Sequence, residues 1–82
     1  MQKQTLEKVF EYASSPVHGT LSRKLRKGVK IQINDGKVFE TATLFLGDEF
    51  VRITTKQGEE TLNTYYGWDK ICNVTTIGKV DD

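Results

Sequence analysis

Phe50, Tyr65, Tyr66 and Trp68 fall within one short stretch of the chain, with Arg52 and Lys70 interleaved among them. Flat aromatic faces stack unpaired nucleic-acid bases at roughly 1 to 3 kcal/mol each, with little sequence demand, and neighbouring cations hold the phosphates. A second basic group precedes them. The segment Leu21 to Lys30, "LSRKLRKGVK", carries five of the twelve basic residues and no acid, which leaves seven basic against eleven acidic residues elsewhere, a net −4. A basic patch on a mildly acidic body suits an anionic partner. Arg23, Lys24, Arg26 and Lys27 are therefore candidates for phosphate contact alongside Arg52 and Lys70. Each has a plainer reading: the run as a solvated loop flank, Arg52 as half of a cross-strand ion pair, and one of the adjacent Tyr65 and Tyr66 as a core residue.

Catalysis finds little to work with. Asp48, Glu49 and Asp69 are carboxylates without a metal signature or a neighbouring nucleophile, and such a set defines no reaction. His18, beside Gly19, reads as a loop histidine. One His and one Cys fall short of the four ligands a structural zinc takes, so no metal and no cofactor are expected. The expectation is a binding protein, not an enzyme.

The elements that must position these residues can be read from periodicity. Leu6, Val9, Phe10 and Ala13 recur at helical spacing, with Thr5 as N-cap and Pro16 as stop, which predicts a helix over about 5–15. A basic connector over 16–28 follows. From Val29 the period becomes two: Val29, Ile31 and Ile33 point one way and Lys30, Gln32 and Asn34 the other. Asp35-Gly36 predicts a tight turn with glycine accepting positive φ. The second strand, Lys37 to Leu46, changes parity between Phe39 and Ala42, so either both its faces are covered or a bulge bends it. Gly47-Asp48 turns into a third strand over 49–55, Gly58 into a fourth over about 60–66, and a fifth spans 71–77. The fold class expected is mainly β: an N-terminal helix, then a five-stranded, strongly bent antiparallel SH3-like or Sm-like barrel over 29–77, with an acidic tail at 78–82. One domain of 82 residues accommodates all of it.

This order of elements, with "INDGKVF" closing the first strand and "GDEFVRI" opening the third, resembles the Sm/LSm family, nearest to its bacterial Hfq-type RNA chaperones. The likeness runs over roughly 21–77. Asp48-Glu49-Phe50-Val51 is similar to the Asp-Gln-Phe-Val turn with which the chaperones present an RNA-binding phenylalanine. The chain departs from the family where Thr41 or Ala42 stands for the strand-bending glycine, where the loop before Asp48 is one residue longer, and where Gly67, Trp68 and Asp69 replace the second Sm motif. The resemblance implies a homo-oligomeric ring in which the fourth strand of one subunit pairs with the fifth of the next, through Leu62, Ile71 and Val74. It also implies a pore face on which Phe50, Tyr66 and Trp68 stack the bases of single-stranded RNA or DNA, with Glu49 favouring bases that donate hydrogen bonds. The other reading of the same strand count is an SH3-like or Tudor-like module that binds a peptide or protein. A fifth strand apolar on both parities favours association, because an exposed edge of that kind invites pairing.

No segment is long and apolar enough to suggest a membrane span, and the first residues lack the apolar core of a signal peptide. With Cys72 unable to form an internal disulfide, a cytoplasmic setting is expected.

Overall fold

The computed structural model describes residues 1–78. The tail expected at 78–82 therefore lies outside the described residues from position 79 onward. The fold is mainly β, with one helix, α1 (Lys3–Ala13), at the N-terminus. Its face of Leu6, Phe10 and Ala13 is buried, as the helical spacing requires, while Val9 is only half-covered. The helix starts two residues before the expected cap. Gln2 is the N-cap and offers no side-chain bond, and its carbonyl accepts from the Leu6 amide, so Thr5 lies inside the first turn. The helix also stops at Ala13, because Ser14 is already extended at φ −140°.

Eight strands follow: β1 (Ser14–Pro16), β2 (Arg23–Leu25), β3 (Lys30–Ile33), β4 (Val38–Phe39), β5 (Thr43–Leu46), β6 (Phe50–Gln57), β7 (Glu60–Gly67) and β8 (Val74–Ile77), with a 3-10 turn at Trp68–Lys70. They form two antiparallel sheets, one of five strands in the order β1-β2-β5-β6-β7 and one of three in the order β4-β3-β8. Eight strands appear where five were expected, for two reasons. The segment read as a connector over 16–28 contains β2 and the hairpin it makes with β1, pairing Ser14 with Leu25 and Pro16 with Arg23. The long second strand is divided into β4 and β5 at Thr41, whose φ is +55°. That left-handed residue flips the parity, so Phe39 faces inward before it and Ala42 and Leu44 face inward after it.

The two sheets close over one core. Ile31 and Ile33 come from β3, Val51 and Ile53 from β6, and Leu44 from β5, all sealed by Phe10 and Leu6 of the helix. Asn34 ties the sheets' ends together: its side-chain oxygen accepts from the Cys72 and Asn73 amides at 2.7 and 3.3 Å, and its amide donates to the Lys70 carbonyl at 3.2 Å. Asn34, at φ +56°, also takes the left-handed position in the turn that the sequence assigned to Gly36. Asparagine tolerates that conformation better than most residues, and here its side chain is needed as well. No helix among the described residues is long and apolar enough to cross a membrane.

Candidate nucleic-acid interface

Strand alternation decides which aromatic residues are available. On β6, Val51 and Ile53 are buried, so Phe50, Arg52, Thr54 and Lys56 share the opposite face. The register places Phe45 of β5 and Tyr65 of β7 on either side of Arg52. The result is a cross-strand row, Phe45, Arg52, Tyr65, with Phe50 at its end. The Arg52 guanidinium carbon lies 5.1 Å from the Phe45 ring centroid, a cation–π contact. Phe50 packs edge-on to Tyr65 at 5.4 Å and lies 6.2 Å from Phe45. Tyr65 is 57% exposed and presents its ring outward. Arg52 makes no ion pair among the described residues, and its Nε is buried without a hydrogen-bond partner.

The adjacent row on the same face is polar: Lys24, Thr43, Thr54 and Asn63, in register from β2 to β7. Thr54 Oγ1 donates to Asn63 Oδ1 at 2.6 Å, linking the two side chains across β6 and β7. The turn at the other end of the face is rigid. The Gly47 amide donates to the Phe50 carbonyl at 2.8 Å, and a Cβ at Gly47 would sit 3.1 Å from that carbonyl oxygen and 3.2 Å from the Phe45 ring. Asp48 and Glu49 are exposed at its tip.

Several sequence-derived candidates lie elsewhere. Trp68, expected as a stacking platform, is only 5% exposed; its ring packs edge-on against Phe10, and its Nε1 donates to the Gly47 carbonyl at 2.9 Å. It anchors the turn that carries Phe50 instead of meeting a ligand. Tyr66 has the inward parity, packs against Phe39 at 6.4 Å, and burial raises its phenol above the ordinary value. Ile71, expected at a subunit interface, is 2% exposed and belongs to the core of its own chain. Leu62 and Val74 are half-buried on β7 and β8 and remain near the sheet edges. Lys70 is exposed next to Gly67, the residue across from Phe50.

The basic run divides in two. Arg23 is turned toward the helix end, where Nε donates to Ser14 Oγ at 2.9 Å and a terminal nitrogen donates to the Glu11 and Ser14 carbonyls at 3.2 Å each. Its guanidinium joins the Ser14 amide as a donor to the Glu11 carbonyl and ties the C-cap residue Ser14 to β2. Lys24, Arg26 and Lys27 are exposed. Sequence reading missed Phe45 as a surface residue and preferred Tyr66 to Tyr65. The signal for both was present in the parity of Val51 and Ile53, once each residue's cross-strand partner is known. No family model, curated protein or solved structure matches the chain.

Proposed function

We propose that this protein binds single-stranded nucleic acid, RNA or DNA, on the outward face of β5, β6 and β7. The observation that carries this reading is the Phe45, Arg52, Tyr65 row with Phe50 at its end: exposed ring surface interleaved with a cation whose Nε lacks a partner. Stacking needs only a π-face, and an arginine whose guanidinium lies over a ring can contact a base and donate to phosphate at once. A peptide-reading aromatic cage is the competing use of such a cluster. Cages that take a cationic side chain leave their centre free of charge, whereas Arg52 sits among these rings and repels a cation.

In this reading the two sheets form one bent five-stranded barrel of the Sm type, with β4 and β5 as a single bent strand and the β1–β2 hairpin as an addition. The protein assembles as a homo-oligomeric ring by pairing β7 of one subunit with β8 of the next. Support comes from the edges: β7 pairs only with β6 and β8 only with β3 among the described strands. Leu62 and Val74 are left half-covered at those edges, and closed head-to-tail symmetry removes both.

The test is titration of a fluorescent single-stranded oligonucleotide with the wild type, Tyr65→Ala and Phe50→Ala. Loss of one stacked base at roughly 1 to 3 kcal/mol corresponds to a fall in affinity of about 5- to 150-fold for each, with secondary structure unchanged. Tyr12→Ala, which removes an exposed aromatic residue on the helix, leaves affinity unaltered. Undiminished binding by both sheet variants would refute the assignment.

A further inference from the structure

The spacing of the strands leaves surplus chain at one point. Lys24 pairs with Thr43 and Ile31 with Phe39, so six residues lie between the paired positions on one side and three on the other. The surplus is thrown outward as a turn, in which the Val29 amide donates to the Arg26 carbonyl at 3.0 Å and Gly28 takes φ +84°. The turn stands over the bend at Thr41, and between them lies a cleft of about 270 Å³. Leu25 and Val29 contribute apolar wall, and Lys24, Arg26, Lys27 and Lys30 line its mouth. Against these four cations stands one carboxylate, Glu40, which lies 3.9 Å from Lys30 in a pair that both partners make largely exposed. Lys24, Arg26 and Lys27 have no acidic partner among the described residues.

We infer that this cleft is a phosphate-binding site. Exposed cations gathered on a bulge cost electrostatic repulsion, which an anion relieves, and the turn sets them around a concave wall. The cleft is also continuous with the aromatic face. Lys24 belongs to the polar row beside Phe45, Arg52 and Tyr65, and a second cavity shares Lys24, Glu40 and Thr41 with the cleft and reaches Thr43, Thr54 and Lys56 of that face, Glu40 again being its one carboxylate. Asp48 and Glu49 at the far end of the face repel phosphate and direct a strand toward Lys24. This inference rests on the reading of the sheet as a nucleic-acid surface only for the source of the phosphate. The backbone of the stacked strand is one source, and free phosphate is the other.

The experiment compares the wild type with the triple variant Lys24→Gln, Arg26→Gln, Lys27→Gln, all three being exposed substitutions, with thermal unfolding as the check on the fold. Oligonucleotide affinity is measured across a range of salt, and amide chemical shifts of Gly28 and Val29 are followed as inorganic phosphate is added. For a single strand the salt slope is about −0.7 per neutralised phosphate, so losing three contacts reduces its magnitude by about 2. That result establishes the cleft as a contact for the strand's own backbone. An unaltered slope with phosphate-dependent shifts in the wild type alone establishes it as a site for free phosphate. If the slope is unaltered and phosphate moves neither amide, the inference is overturned. Tyr65→Ala keeps that outcome distinct from failure of the aromatic reading, because the stacking variant then still weakens oligonucleotide binding.

Discussion

At the scale of single residues, the backbone at Thr41 explains how a chain without the expected glycine still bends. A β-branched residue at φ +55° sits in a region that costs of order 1 to 3 kcal/mol outside glycine, and the chain tolerates it because the flip in parity lets Phe39 and Leu44 both reach the core. Thr41→Gly removes that strain at some entropic cost in the unfolded state, so stability should rise by about 0.5 to 1 kcal/mol, a shift of several degrees in the unfolding midpoint. Thermal denaturation followed by circular dichroism reads it. A lower midpoint would mean that the threonine side chain contributes more than its strain costs. The same scale shows what residue types alone conceal. Trp68 and Tyr65 are both aromatic and only three positions apart, yet one is hydrogen-bonded inside the core and the other presents its ring to solvent. Composition assigns both to stacking; only the end of β7 at Gly67 and the turn after it separate their fates.

At the scale of elements, the helix and the first hairpin depend on Arg23. The helix ends without a glycine C-cap, and Ser14 and Arg23 together occupy the carbonyls of its final turn, including a bond from the Ser14 hydroxyl to the Phe10 carbonyl. Hydrogen bonds to a charged group are worth about 1.5 to 3 kcal/mol, and partial exposure places this set toward the lower end. Arg23→Met, which retains the apolar stem, should therefore lower stability by about 1 to 2 kcal/mol in urea unfolding, while the salt dependence of oligonucleotide binding by the folded variant stays as in the wild type. Arg23→Lys should recover little, since a single ammonium cannot reproduce a fork that reaches Ser14 Oγ and two carbonyls. A changed salt slope in the folded Arg23→Met protein would return Arg23 to the ligand surface. Legibility in the sequence follows the same division. Alternation over 29–33 and 50–53 and the helical spacing of Leu6, Phe10 and Ala13 were readable because burial on one side imposes a period. The β1–β2 hairpin was not, since three-residue strands that bury one residue each, Ser14 and Leu25, are too short to show a period and look like a charged connector.

At the scale of the whole molecule, the question is what covers the outer edges of β7 and β8. A chain of this size has a thin core, and here the core already draws in Ile71 and Trp68, while Leu62 on β7 and Val74 and Ile77 on β8 keep apolar surface uncovered at the two edges. β7 is eight residues long and free of proline, so its unpaired amides and carbonyls form a ready template for another strand. In the proposed ring, pairing with β8 of a neighbour would satisfy both rows at once and repeat the proposed stacking face around a closed assembly, so that modest contacts by each subunit would combine through effective concentration. Light scattering of the wild type at micromolar concentration should then give a mass several times 9.3 kDa. Leu62→Lys should yield folded chains near the single-chain mass, because a charge facing a desolvated edge contact opposes pairing while remaining solvated in the lone subunit, whereas Val74→Lys also costs stability, since Val74 packs against the core across from Ile33. Ile71→Lys behaves differently: its side chain is buried within its own chain, so the variant should lose the fold itself, seen as loss of cooperative thermal unfolding. Wild-type protein at the single-chain mass, with Leu62→Lys indistinguishable from it, would instead leave each chain holding its ligand through one copy of the Phe45, Arg52, Tyr65 row, with the loss on Tyr65→Ala held to about 5- to 150-fold, that of a single stacked base.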